Sequence, residues 1–313
     1  MPGSGSDAAP IPTGAPPDFA VVGAPKCGTT ALYTWLAAHP GIAMAARKEP
    51  CFWSRDIATW GRIEDPAAYA ALWHDARPGA LRGEASPVYL QSRVAIPELL
   101  AARPDARLIA MIRNPVEMVA SRHANLLVGY QEDVADLEAA WRLQARRAAG
   151  EALPPHCAEP ALLQYRAFAA IGEQLDRFMA AVPAAQRMVI VHDDFRADPR
   201  AQYLRVLAFL GLADDGRTHF AAVHRNMRLR WVGLPKFQER LSRFPLYRPA
   251  RTLAHAIGLR PVALLHKANV RTTERKPLRP IFERELVDTF LPQVEKVERL
   301  LGRDLGGWKV PRG

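Results

Sequence analysis

The chemistry begins at Phe19-Ala-Val-Val-Gly-Ala-Pro-Lys-Cys-Gly-Thr-Thr30, an apolar run that enters a loop bounded by Gly23 and Gly28. A helix that starts directly after such a loop turns its first backbone N–H groups toward an anion, which makes the stretch a candidate phosphate cradle. A triphosphate loop carries its lysine directly after the second glycine and then Ser or Thr for Mg²⁺. Here the glycine spacing is kept, but Lys26 lies inside the loop and Thr29 follows the second glycine. The cradle is retained and the part that handles a triphosphate with Mg²⁺ is altered.

Four further segments follow in order: Lys48-Glu-Pro-Cys-Phe-Trp53, Gly83-Glu-Ala-Ser-Pro-Val-Tyr89, Leu108-Ile-Ala-Met-Ile-Arg-Asn-Pro-Val-Glu-Met-Val-Ala-Ser121 and Leu300-Leu-Gly-Arg-Asp-Leu-Gly-Gly-Trp308. With the loop, this co-linear set resembles the sulfotransferases that use 3′-phosphoadenosine 5′-phosphosulfate (PAPS), in particular bacterial members related to the heparan sulfate sulfotransferase domain. The resemblance implies transfer of a sulfuryl group from PAPS to a hydroxyl, or less readily an amine, of a glycan, lipid or small molecule, with 3′-phosphoadenosine 5′-phosphate (PAP) as product.

Residue by residue, the resemblance makes Lys26, Cys27, Gly28, Thr29 and Thr30 the 5′-phosphosulfate loop, with Lys26 also acting on the leaving phosphate. Arg113 and Ser121 become the 3′-phosphate ligands, a bidentate guanidinium and a hydroxyl donor. Glu49 takes the place of the general base, a role the attacking hydroxyl requires. Glu84, at the end of an expected strand, is the main alternative base, and a histidine elsewhere in the chain is the other. Two positions depart from the relatives: Cys51 stands where many carry histidine, and Ala85 where heparan-type members carry lysine. A late basic loop over the nucleotide is also expected from the resemblance; Arg225, Arg228, Arg230 and Lys236 are its candidates, with Trp231 as a stacking surface. Among other readings of the residues, a P-loop kinase lacks its lysine and Ser/Thr positions, and a nucleic-acid-binding protein would explain the basic segment without any recognised reading motif.

These residues need elements to hold them. Phe19–Gly23 and Leu108–Ile112 read as buried strands, Arg187–His192 as a third, and Ile42–Met44 and Leu81–Glu84 as shorter ones. Helices are expected over Thr29–Ala38, from Pro115 to about Leu127, and from Asp198-Pro199 to a stop at Gly211. The resemblance implies a strand end and turn at His192–Pro199, which reads as structural. Glu283–Leu301 reads as an amphipathic helix interrupted or kinked near Pro292. The alternation predicts an α/β fold of P-loop-like, three-layer type, a central and mostly parallel sheet flanked by helices. Ligands bind beyond the strand C-termini in such sheets, where Gly23, Glu84 and Arg113 are expected to fall.

Composition sets the outer bounds. The 313 residues, 49% of them hydrophobic, suffice for one sizeable core. The organisation expected is a disordered tail over 1–17, without the basic start and apolar core of a signal peptide, and a single domain over 18–313. Three cysteines, Cys27, Cys51 and Cys157, show no metal-ligand spacing, so neither a zinc site nor a disulfide framework is expected. With no apolar run near membrane-spanning length, few cysteines and an arginine- and alanine-rich composition, a bacterial, cytoplasmic protein is expected, and the resemblance implies an enzyme whose sulfuryl transfer needs no metal. The net charge of +10 is concentrated in the less regular segment 217–279, which holds fifteen Lys or Arg against two acids. Such a segment can contact anionic membrane or an anionic substrate; nucleic acid is not expected as a partner.

Overall fold

The computed structural model describes residues 16–59, 61–220, 227–231, 268–272 and 277–312. Most of the expected tail and of the basic segment 217–279, including Arg225, Lys236 and the side chain of Arg228, lies outside them. The chain divides into two compact units. One comprises Met1–Pro115, Ala170–Val223 and Thr289–Lys309, the other Val116–Ala169, His224–Asp288 and Val310–Gly313.

The first unit holds a five-stranded parallel sheet of β1 (Phe19–Gly23), β2 (Ile42–Met44), β3 (Leu81–Ala85), β4 (Arg107–Ile112) and β5 (Arg187–Val191), in the order β2-β3-β1-β4-β5. Every residue of β1 and all but the first of β4 are buried, the continuous apolar run expected of strands covered on both faces. The central register pairs Phe19 with Gly83 on one side and with Arg107 on the other. From β1 the chain moves out to β2, and β4 continues the sheet on β1's opposite side. The ends of β1 and β4 therefore flank the switch point at which open parallel sheets place ligands.

The helices that accompany this sheet in the first unit are α1 (Thr29–Ala37), α2 (Pro66–Ala70), α3 (Ala95–Ala102), α8 (Ile171–Ala181), α9 (His192–Ala197) and α10 (Pro199–Leu210); α4 (Pro115–Val128), all but its first residue, and α5 (Leu137–Arg142), α6 (Gln144–Ala148) and α7 (Tyr165–Phe168) belong to the second unit. The local signals read from the sequence explain several ends. Asp198 caps α10 by accepting from the Ala201 N–H at 2.9 Å, Pro199 opens the helix, and Gly211 ends it in the left-handed conformation. The His192–Pro199 stretch differs from the strand end and turn expected: β5 stops at Val191 and α9 begins at once. The last helix, α11 (Pro280–Leu301), also departs from expectation. It starts three residues earlier and is not interrupted at Pro292, which lies inside it. Phe282, Leu286, Phe290, Val294 and Val297 form a buried stripe along it, and burial of that stripe outweighs one lost backbone hydrogen bond.

Gly83 is required by close approach. A Cβ there would lie 2.7 Å from Met44 Sδ and collide with the Phe19 ring. Gly83→Ala is expected to lower stability by about 1–2 kcal/mol through overpacking. Denaturant unfolding checks it; an unchanged midpoint would mean that Phe19 and Met44 repack freely.

In the second unit Arg147 and Glu132 form a fully buried, bidentate ion pair at 2.6 and 2.7 Å, and Tyr165 donates to Glu132 at 2.6 Å. Burial alone would raise the Glu132 carboxyl, but these donors hold it below its usual value. A two-stranded antiparallel ribbon, β6 (Met227–Leu229) and β7 (Val270–Thr272), completes what is described there. Among the described residues no helix is long and apolar enough to cross a membrane.

Candidate active site

The loop between β1 and α1 is shaped by its backbone. Lys26 and Gly28 both adopt left-handed conformations, at φ 69° and 96°, on either side of Cys27. Turns of this kind gather successive N–H groups into an anion-binding concavity. Gly28 serves as the helix N-cap without any side-chain cap, so no capping side chain occupies the first-turn N–H groups of α1; Ala31 N–H donates to the Gly28 carbonyl at 3.0 Å. A side chain at Gly28 would also press on Met111 and Phe195 at 3.3 Å.

Two bonds tie the loop to β4. Ala24 N–H donates to the Met111 carbonyl at 2.5 Å, and Arg113 Nη1 donates to the Lys26 carbonyl at 3.1 Å. Arg113 follows β4 directly and is largely buried, which pulls its pKa down, while Asp193 and the Cys27 thiol oppose that shift. The sheet thus brings Lys26, Gly28, Thr29, Thr30 and Arg113 to the C-terminal ends of β1 and β4. Cys27 enters differently. Its side chain is fully buried, and burial pushes the thiol up to about 12. Ser121 lies in the second turn of α4 and belongs to the second unit.

His192 was read only as part of a strand end. It closes on the same edge, at the first position after β5, with a buried Nδ1 that has no hydrogen-bond partner among the described residues. Burial, then the positive charges of Arg113 and Arg196, push its pKa down to about 3, so the ring is neutral at physiological pH. A polar residue just beyond a buried parallel strand was the available signal. Its neighbours anchor the C-terminal motif: Asp193 accepts from Trp308 Nε1 at 2.6 Å and Asp194 pairs with Arg303.

The segment after β2 carries Glu49, which is exposed and paired with Lys48. Glu49 and Cys51 are both left-handed, at φ 59° and 54°, a conformation that costs a non-glycine residue about 1–3 kcal/mol. The segment is held to the sheet by Glu49 N–H, which donates to the Ala85 carbonyl at 3.1 Å. Glu84, the alternative base, is fully buried beneath it. Its oxygens accept from Tyr69 Oη at 2.6 Å, Ser86 Oγ at 2.9 Å and Tyr89 Oη at 3.1 Å. Burial raises its pKa to about 7 and the three hydroxyls limit the rise. Of the two carboxylates, only Glu49 reaches solvent. Cys51, buried, has its thiol pushed up to about 11, chiefly by burial. Trp231 is half exposed, its main chain held by both ends of the Asn269 amide at 2.8 and 2.9 Å.

Comparison with known proteins agrees with this geometry. The profile of the Sulfotransferase family matches residues 65–216, a span that includes Glu84, Arg113, Ser121 and His192 but not the β1–α1 loop. The crystal structure of a sulfotransferase from Alicyclobacillus acidocaldarius is similar throughout, with a TM-score of 0.70 and 25% identity over 95% of this chain and 100% of that one. Heparan sulfate glucosamine 3-O-sulfotransferase 6 of Homo sapiens is 28% identical over 196 residues, 63% of this chain and 52% of its own length. The membrane-associated sulfotransferase kil1 of Dictyostelium discoideum is 34% identical over 107 residues, 34% of this chain and 22% of its own. The chain thus spans about half the length, or less, of these two curated relatives. The chain is thus similar to sulfotransferases in sequence over part of its length and in fold over nearly all of it.

Proposed function

We propose that the protein transfers a sulfuryl group from PAPS to an acceptor hydroxyl. The observation that carries this reading is the β1–α1 loop, in which left-handed Lys26 and Gly28 turn backbone N–H groups outward while Arg113 braces the Lys26 carbonyl. An uncapped helix N-terminus, a guanidinium and a neutral imidazole at one sheet edge suit a nucleotide with phosphates at both its 5′ and 3′ positions.

When bound, PAPS supplies the SO₃ group on a phosphate leaving group. The N–H groups of Gly28, Thr29 and Thr30 hold the 5′-phosphate, and Lys26 neutralises charge that develops on it as the S–O bond breaks. Arg113 binds the 3′-phosphate, and His192, held neutral, offers a hydrogen bond beside it. Glu49 accepts the proton that the acceptor hydroxyl loses as its oxygen bonds to sulfur. The name of the human relative places its transfer on a glucosamine oxygen, which supports a hydroxyl acceptor here. The loss of histidine and lysine at Cys51 and Ala85 argues for an acceptor less anionic than a highly sulfated glycan.

The test is thermal stabilisation, because a ligand that binds only the folded state adds about 2.7 kcal/mol at roughly 100 times its Kd. PAP is expected to raise Tm clearly and ATP with Mg²⁺ much less. Equal shifts would count against the 3′-phosphate site and against the proposed function.

A further inference from the structure

Among the described residues no cation lies in the hydrogen-bonding shell of Glu84; that shell consists of three hydroxyls, Tyr69 from α2 and Ser86 and Tyr89 from the turn after β3. Each of those hydroxyls also touches the Glu49 segment. Ser86 Oγ accepts from Cys51 N–H at 3.1 Å, Tyr89 Oη from Trp53 N–H at 3.4 Å, and Tyr69 Oη from Trp53 Nε1–H at 3.0 Å. A hydroxyl has one proton to give and lone pairs to receive with. An acceptor-only carboxylate takes all three protons, and the lone pairs left over all face residues 51–53. The direction of the three O–H bonds is thereby fixed by one buried group, and each hydroxyl oxygen so oriented receives an N–H from residues 51–53. The segment they hold is the one that keeps Glu49 and Cys51 left-handed around Pro50. Stacking of Phe52 on Tyr69, with centroids 4.2 Å apart, adds contact but no directionality.

We propose that Glu84 is a positioning residue: as a buried carboxylate it orients Tyr69, Ser86 and Tyr89 so that they clamp residues 51–53 and set the place of Glu49 at the sheet edge. Glu84 touches no reacting atom and acts only through Glu49. The proposal deepens the proposed function and rests on it only in treating Glu49 as the base.

Glu84→Gln is the informative substitution, because it keeps the shape and gives the hydroxyls a donor where they need an acceptor. Amide hydrogen exchange on the protein without ligand reads the clamp directly. The measurement belongs at pH 8, above the value of about 7 to which burial pushes Glu84. Protection over residues 49–54 is expected to fall roughly tenfold or more in Glu84→Gln, with β4 amides and PAP affinity unchanged. Wild-type protection in that variant would overturn the proposal. If Glu84→Gln loses β4 protection as well, Tyr89→Phe and Ser86→Ala replace it, since each removes one arm; unchanged protection at 49–54 in both would overturn it equally.

A second readout separates positioning from chemistry. Turnover, followed as PAP released from PAPS with water or any accepted hydroxyl as acceptor, should fall roughly tenfold in kcat in Glu84→Gln without a change in KM for PAPS. It should fall no further when Glu84→Gln is added to Glu49→Gln, because residues that act as one unit are not additive. Multiplicative losses would give Glu84 an independent role and overturn the proposal. Loosened exchange in a protein that fails to turn over PAPS would instead remove the proposed function and leave the clamp standing.

Discussion

Glu49→Gln is expected to lower turnover roughly 100-fold or more while PAP affinity stays at the wild-type value, because positioned proton transfer contributes about 10²–10⁴-fold. Glutamine keeps the side-chain length and the backbone bond from Glu49 N–H to the Ala85 carbonyl, so the loss isolates the carboxylate. Its ion pair with Lys48 offers the bland explanation, an exposed contact worth at most about 1 kcal/mol. Stability therefore should hardly move. Steady-state kinetics beside nucleotide titration decides between the two: near-wild-type turnover in Glu49→Gln would reduce the residue to that surface pair.

Arg113→Ala is expected to weaken PAP binding about 10- to 100-fold, from about 1.5–3 kcal/mol for hydrogen bonds to a charged group. Discrimination between PAP and ADP should fall with it, since the lost guanidinium is the group proposed to meet the 3′-phosphate. Part of the effect could come through the loop, because Arg113 also donates to the Lys26 carbonyl. Arg113→Lys separates the two contributions, retaining charge but not the planar fork. Isothermal titration should place the lysine variant between wild type and alanine. Unchanged affinity in Arg113→Ala would remove the residue from the site.

The parts of this site legible in the sequence are those written in local patterns. The apolar run Phe19–Gly23 with Gly28 five residues on predicts a strand, a turn that needs φ above zero and a helix, and all three are found. Asp198, Pro199 and Gly211 announce both ends of α10 for the same reason. What was not legible depends on side-chain direction across long separations. The bond between Tyr69 and Glu84 joins residues fifteen apart through a turn whose course no periodicity fixes. Glu84 therefore reads as an open carboxylate in sequence and lies buried in the fold. Cys27, in the middle of a ligand loop, looked like a ligand residue, yet its neighbours in left-handed conformations turn its side chain inward. The helix runs through Pro292 without interruption, because the burial that carries α11 through it is tertiary.

The central claim is that the β1–α1 loop holds the 5′-phosphate of a nucleotide whose 3′-phosphate meets Arg113. A crystal structure of the protein with PAP, grown without divalent metal, tests it most directly. The account predicts 5′-phosphate oxygens about 3 Å from the Gly28, Thr29 and Thr30 amides and the 3′-phosphate on the Arg113 guanidinium. A nucleotide bound with its phosphates away from the α1 N-terminus, or with its 3′-phosphate turned to solvent, would contradict it.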